Sequence, residues 1–327
     1  MSRVLMVGAG SWGTAVAVLL ARAGADVTLF GRRPEFVAQL ARERENRTFL
    51  PGVKLPDSLR LAAELPDLGT LDWCFCGVPT RYIREQFAPF RGRVPQSLPL
   101  VSLAKGIEQE TLLAPTAILR DVTGVRHALT LSGPSHAEEV AAGLPAVVVS
   151  AGDEILARAL AELCSTKTFR VYYSRDLCGV ELAGAAKNVV AIAAGIAEGL
   201  KLGENTKAAL LARGLAEIAR LGVALGGELK TFYGLSGVGD LYVTCASPFG
   251  RNRAFGRRIG EGESPQAILD SMEMVVEGYY TARALQTLAR RHGVEMPICD
   301  EVCAVVYEGT PPREAVTRLM TRSLKAE

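Results

Sequence analysis

Lys187 and Asn188 are adjacent polar side chains in a stretch that is otherwise apolar or glycine from Leu182 to Ala197, LAGAAKNVVAIAAGIA. On a helix, the neighbours of Lys187 at three and four residues are Ala183, Gly184, Val190 and Ala191. A helix that is apolar all round is buried. An unpaired ammonium is costly to bury, so such a lysine finds a carboxylate or gives up its proton. A lysine with a lowered pKa exchanges a proton near neutral pH, which is general acid/base chemistry. The competing reading is a lysine that snorkels to water. Alanine and glycine give its stem little to cover, so the acid/base reading is preferred.

Two later segments supply companions. Gly237-Val238-Gly239-Asp240 places a carboxylate in a glycine-rich turn, either as a helix N-cap or as a partner that orients Lys187 or accepts from a substrate hydroxyl. Gly250-Arg251-Asn252-Arg253 places a guanidinium and an amide at a predicted helix start. That combination suits a phosphate group, through charge-assisted bonds and free backbone N–H groups.

A second chemistry opens the chain. Gly8-Ala9-Gly10-Ser11-Trp12-Gly13 follows the apolar run Arg3–Val7 and precedes a helical stretch to about Ala23. In G-x-G-x-x-G the first glycine makes the turn, the second admits a pyrophosphate, and the third lets helix and strand pack closely. At the end of the next apolar run, where an NAD site usually carries an acid for the ribose 2′-hydroxyl, the sequence reads Gly31-Arg32-Arg33. Two guanidiniums without a neighbouring acid favour a 2′-phosphate, hence NADPH over NADH, with NADH use still open.

The elements that must position these residues follow from patterning. β-type runs at Arg3–Val7, Asp26–Phe30, Leu71–Cys76, Leu98–Ser102, Ala128–Ser132, Pro145–Ser150 and Phe169–Tyr173 alternate with helical stretches. From about Asp176 long Ala/Leu/Gly helices take over. The expected fold is α/β: a Rossmann-type doubly wound, mostly parallel sheet over residues 1–176, then an all-helical domain over 177–327 that binds substrate and carries catalysis. Three loops fall at the carboxyl ends of the predicted strands, where open α/β sheets bind ligands: Gly77–Thr80, Ser102–Gly106 and Gly133–Ser135. Lys105 either points into the cleft or lies exposed in its loop. Ser135 and Glu138 have capping-box spacing, which predicts a helix start there and makes His136 a capping-turn residue rather than a catalytic one.

Composition narrows the class. The chain has 327 residues, 49% of them hydrophobic, and a net charge of +2. Near-neutrality gives no sign of a nucleic-acid or membrane-surface binder. Seven scattered cysteines suit a reducing, cytoplasmic compartment, and Cys74 and Cys76 read as strand interior. The start shows no signal-peptide pattern. The apolar run around Lys187 is shorter than the ~20 residues of a membrane span, and no Cys/His spacing resembles a metal site.

Taken together, GAGSWGTA, FGRR, SLAKGIE, LSGPSHAEEV, ELAGAAKNVVAIAAGI, GLSGVGDLYVTC, GRNRAFG, VVEG and MPICDEVCAVVYEG closely resemble the bacterial-type NAD(P)-dependent glycerol-3-phosphate dehydrogenases over essentially the whole chain. The resemblance implies an oxidoreductase that reversibly transfers hydride from NAD(P)H to C2 of dihydroxyacetone phosphate, giving sn-glycerol 3-phosphate for phospholipid synthesis. It implies Lys187 as general acid/base. Implied substrate residues are Lys105, Gly133, Ser135, Asp240, Arg251 and Asn252. Beyond the loop glycines, implied cofactor residues are Ser11, Trp12, Arg32, Arg33, Lys105, Ala137, Arg251, Val275 and Glu277. A cytoplasmic homodimer is also implied. One departure stands out: Gly250 occupies a position that is often serine in the family. The alternatives are a ketopantoate- or β-hydroxyacid-type reductase, which would bind a carboxylate rather than a phosphate, and a non-catalytic NADPH sensor, which would not need Lys187.

Overall fold

The computed structural model describes residues 1–324. Two compact units form, the first from Met1–Lys105 and Leu113–Val180, the second from Gly106–Leu112 and the chain from Glu181 onward.

The first unit holds strands β1 (Arg3–Val7), β2 (Asp26–Phe30), β3 (Glu45–Asn46), β4 (Leu50–Lys54), β5 (Arg60–Ala62), β6 (Trp73–Cys76), β7 (Leu100–Ser102), β8 (Ala128–Ser132), β9 (Ala146–Ala151) and β10 (Phe169–Ser174). Its helices are α1 (Ser11–Arg22), α2 (Pro34–Glu43), α3 (Ile83–Phe87), α4 (Pro115–Thr123), α5 (Ala137–Ala141) and α6 (Glu154–Cys164). Eight strands make one sheet in the order β10-β9-β8-β7-β6-β1-β2-β5, and β3 and β4 form a separate hairpin. All pairings in the large sheet are parallel except β8 with β9.

Alternation along each strand explains the two helical layers. Val4 and Met6 of β1 pack with Val16 and Leu20 of α1 and Leu160 of α6. Leu5 and Val7 face the other way and pack with Ile83 and Phe87 of α3 and with Ile118 and Leu119 of α4. Both faces of a parallel sheet are thereby covered. Cys74 and Cys76 share the second layer, while Phe75 between them joins the first. Burial pushes the Cys74 thiol far up, so these cysteines behave as small hydrophobes. The sheet edge strand β5 and the β3–β4 hairpin carry little periodic apolar patterning and were not expected from the sequence.

The second unit is helical. It contains α7 (Leu177–Gly199, whose first turn belongs to the first unit), α8 (Gly203–Ala224), α9 (Leu229–Phe232), α10 (Asp240–Ala246), α11 (Arg251–Gly260), α12 (Pro265–Ser271), α13 (Glu277–Arg291), α14 (Pro297–Tyr307) and α15 (Pro312–Met320). Helix α7 has 23 residues and is long and apolar enough to cross a membrane by composition. The expectation that this run is too short is thus corrected. The helix is packed inside the protein, where Ala185, Ala186, Val189 and Ile192 share a core with Phe255, Ile259, Leu285 and Val302. Ile107 joins that core, and Gln109 donates to the Tyr280 carbonyl at 3.0 Å.

Backbone proximity fixes α11 against α7. A Cβ on Gly195 would collide with the Arg253 carbonyl oxygen, and one on Gly256 with the Ile192 carbonyl oxygen. Gly199 meets Arg257 and Gly260 meets Ile196 in the same way. Four-residue spacing puts each glycine pair on one helix face, so the helices touch backbone to backbone. Elsewhere in this unit, the buried Glu217 carboxylate accepts from Ile298 N at 2.9 Å and from Cys299 N at the start of α14. Burial nevertheless dominates and pushes its pKa up to about 7.

Two outcomes follow from this packing. Gly256→Ala forces α11 off α7, and overpacking of this kind costs about 1–3 kcal/mol. Thermal unfolding should show a transition several degrees lower, and an unchanged transition would show that the helices tolerate separation. Glu217 favours its protonated form when folded, so its contribution to stability is complete below about pH 4.5 and is lost as pH rises through 7. The shift corresponds to on the order of 3 kcal/mol. Denaturant titrations at pH 5 and pH 8 should find Glu217→Gln similar to wild type at the lower pH and more stable at the higher. Parallel pH profiles would contradict the assignment.

Candidate active site

In the first unit the glycine loop is built as the sequence predicts. Gly8 has φ +105, a conformation that favours glycine. A Cβ on Gly13 would collide with the Gly8 carbonyl oxygen. At Gly10 the nearest atom to a Cβ position is Gly77 O at 4.0 Å, so that side of the turn is open. Gly10 caps α1 without a side-chain bond, and no acid sits in the first turn. The first N–H groups of α1 are therefore aimed at the loop with no competing anion. Trp12 carries a buried indole N–H with no hydrogen-bond partner among the described residues. An open second glycine, an uncapped helix start and an orphaned donor fit a dinucleotide pyrophosphate. Ser11 is the first residue of α1, and Ala137, the first of α5, packs with Ala15 and Trp12.

A residue the sequence did not single out holds this loop. The buried Asn46 side chain donates to Ala9 O at 2.9 Å and to Thr14 Oγ1 at 2.8 Å, and accepts from Phe49 N. It reaches the loop from the β3–β4 hairpin. Nothing in its local sequence, RENRT, points to that role.

Arg32 and Arg33 follow β2 as expected, but the absence of a nearby acid is corrected. Arg32 pairs with Glu85 of α3, 53 positions along the chain. Arg33 stacks over the Phe36 ring at 5.0 Å. Lys105 Nζ donates to Gly133 O at 2.9 Å, and Ser135 Oγ donates to the same oxygen at 2.9 Å. Lys105, Gly133 and Ser135 are therefore one cluster. The expected capping box is not formed: α5 starts at Ala137 with His136 as its N-cap residue, and Ser135 is engaged with Gly133 instead.

The second unit contains the other cluster. Lys187 is buried, and its Nζ lies 2.8 Å from Asp240 Oδ1. It also donates to Thr244 Oγ1, which is itself 3.5 Å from Asp240 Oδ1. Asp240 is the first residue of α10 rather than its N-cap. Asp240 and Thr244 are four apart and so lie on one face of that helix, which was the available signal for Thr244. Burial pushes the neighbouring Cys245 thiol up to about 12, so that sulfur stays protonated. A buried ammonium with carboxylate and hydroxyl partners is fully supported where an isolated one would not be.

Asn188 points to a different partner. Its Oδ1 accepts from Asn252 Nδ2 at 2.9 Å, and Asn252 Oδ1 accepts from Gly278 N at 2.9 Å. This chain ties α7, α11 and α13 together. Arg251, the first residue of α11, donates to Val275 O at 3.4 Å, which brings Val275 beside the guanidinium, and Glu277 opens α13 two residues later. Arg251, Asn252, Val275 and Glu277 are thus one neighbourhood, within the same packed unit as Lys187. Gly250 is the α11 N-cap, and a Cβ there would sit 2.7 Å from Thr244 O. Local crowding by the α10 backbone therefore accounts for glycine at this position. The arrangement offers a fixed proton donor on one helix and an amide–guanidinium pair at an uncapped helix start on the next.

Comparison with known proteins identifies the family of the chain. Residues 3–157 match the family description NAD-dependent glycerol-3-phosphate dehydrogenase N-terminus, and residues 176–317 match the corresponding C-terminus. A glycerol-3-phosphate dehydrogenase (NAD(P)+) of Salinibacter ruber is 48% identical over 100% of this chain and 97% of its own length. One of Moorella thermoacetica is 46% identical over 98% of this chain and 96% of its own. The crystal structure of glycerol-3-phosphate dehydrogenase from Coxiella burnetii superposes with a TM-score of 0.93 at 35% identity, covering 98% of this chain and 99% of that one. With both halves of the family matched in order and relatives 46–48% identical over nearly the whole chain, the chain belongs to the NAD-dependent glycerol-3-phosphate dehydrogenase family.

Proposed function

We propose that this protein is an NAD(P)-dependent glycerol-3-phosphate dehydrogenase that reduces dihydroxyacetone phosphate to sn-glycerol 3-phosphate, supplying the backbone of glycerophospholipids. The observation that carries the reading is the buried Lys187, held by Asp240 and Thr244 in the same packed unit as Arg251 and Asn252. A ketone bearing a phosphate ester needs both features: an acid for its oxygen and a grip on its phosphate.

Bound NAD(P)H supplies the hydride that the substrate carbon accepts. Lys187 Nζ gives its proton to the C2 oxygen, so the product leaves as an alcohol, and Asp240 keeps the ammonium in place before that transfer. In the oxidative direction Lys187 takes the proton back. Arg251 and Asn252 bind the phosphate, and the energy of that contact fixes the reacting carbon's position. The α7–α11 backbone contact holds the phosphate grip at a set distance from the acid. Lys105, Gly133 and Ser135 are assigned as further substrate contacts, and Ala137, Val275 and Glu277 as cofactor contacts, on the family resemblance. NADPH is the preferred cofactor, because two guanidiniums at the end of β2 suit a 2′-phosphate. The seven unbridged cysteines suit a reducing cytoplasm, and a homodimer is the expected assembly from the family.

The test is NADPH and NADH oxidation followed by absorbance, with dihydroxyacetone phosphate against unphosphorylated dihydroxyacetone and ketopantoate. Turnover is expected with the phosphate ester alone and faster with NADPH. Lys187→Ala should remain folded and bind NADPH while losing 10²-fold or more in kcat, the scale of a lost general acid. Turnover by that variant at the wild-type rate would remove the acid/base role, and ketopantoate reduction would overturn the substrate.

A further inference from the structure

The end of β2 lacks the acid that a nicotinamide dinucleotide site uses for the ribose 2′-hydroxyl, but a carboxylate stands there nonetheless, delivered by another element. Glu85 of α3 pairs with Arg32, and Gln86, with its amide oxygen facing the guanidinium, accepts from Arg32 Nη1 and Nε at 3.2 Å. The two elements meet beside the glycine loop. Gly8 N donates to Phe30 O at the end of β2, and Gly8 is in close contact with Gly77 and Val78 of the loop that leads into α3. Arg32, Arg33 and Glu85 therefore stand on the same edge of the sheet as the pyrophosphate turn.

We propose that Glu85 sets the balance between the two dinucleotides, acting as the ribose acid for NADH and as the counter-ion that the 2′-phosphate of NADPH must displace from Arg32. The inference rests on the cofactor reading of the glycine loop. Three observations support it. The pair is open to solvent, with Arg32 61% and Glu85 57% exposed, and exposed pairs contribute little to folding, so it has no structural duty that would keep it closed. Glu85 is an acceptor only, the property a ribose hydroxyl donor requires. Arg33, stacked over Phe36, remains a second cation when Arg32 is held by Glu85. A 2′-phosphate then meets two guanidiniums and one repelling carboxylate, whereas a 2′-hydroxyl meets a carboxylate already oriented by Arg32. Such a site accepts both cofactors, with each cofactor favoured by a different side chain.

The sign of the effect separates this role from a structural one. Glu85→Gln keeps the size of the side chain and removes the charge. Binding is measured without substrate, by fluorescence titration of NADPH and NADH, and by competition with 2′,5′-ADP and AMP. Glu85→Gln is expected to tighten NADPH and 2′,5′-ADP about 3–10-fold and to weaken NADH several-fold, a relative change of tenfold or more, on the scale of one charged hydrogen bond. Arg32→Ala with Arg33→Ala should weaken NADPH and 2′,5′-ADP far more than NADH and AMP. Equal changes in both cofactors for Glu85→Gln, or none, would overturn the proposal even with the two-arginine variant behaving as expected. If neither dinucleotide bound the wild type, the cofactor reading itself would fail, an outcome distinct from the first.

Discussion

The ammonium of Lys187 must be compensated inside an apolar helix, and Asp240 and Thr244 of α10 meet that requirement. Removing one member of a buried ion pair typically costs about 3–5 kcal/mol, whereas replacing both by apolar groups is often neutral. The pair of Lys187 and Asp240 is therefore poor material for stability alone. What it provides is position. Asp240 opens α10, so the location of the carboxylate depends on the Leu235–Gly239 turn that feeds that helix. Thr244, one turn further on, takes a hydrogen bond from the same nitrogen. Three groups on two helices define where the Lys187 ammonium sits.

That definition propagates along α7. The next residue, Asn188, faces a different helix and begins a chain of amide contacts through Asn252 to the backbone of Gly278. The protein contains four asparagines, and three of them, Asn46, Asn188 and Asn252, are buried in contacts that shape the two clusters. A residue type used so sparingly and placed so consistently marks positions where both a donor and an acceptor are needed in one short side chain. The glycine faces of α7 and α11 complete the frame by removing the side chains that would otherwise hold the helices apart. Sites on packed helices hold their geometry better than sites on loops, and Lys187, Arg251 and Asn252 all sit on helices.

What the sequence made legible depended on how local the signal was. The glycine loop, β1, β2 and the strand–helix alternation announce themselves within short windows, because turn sterics and side-chain periodicity act over a few residues. Lys187 was legible for the opposite reason, as a violation of the pattern around it. Asn46, Thr244 and Glu85 were not singled out, because the contacts that tie them to Thr14, Lys187 and Arg32 span 32 or more positions in sequence and no short window contains both members. The capping box at Ser135 failed on competition: the Gly133 carbonyl, already receiving Lys105, also took the serine hydroxyl. The hairpin that carries Asn46 had no apolar alternation to reveal it, although it holds the loop that did.

Two of the cation–carboxylate pairs of this protein, Lys187–Asp240 and Arg32–Glu85, differ in environment. Lys187 and Asp240 are buried, so water competes weakly and separating them is expensive. Arg32 and Glu85 are exposed, so water and salt screen them and little is lost when they part. The buried pair is suited to a group that must occupy one place through every turnover. The exposed pair is suited to a group that must yield to one ligand and stay for another. Proton transfer tolerates little positional error, and cofactor choice needs reversibility, so the placement of each pair relative to solvent matches the role proposed for it.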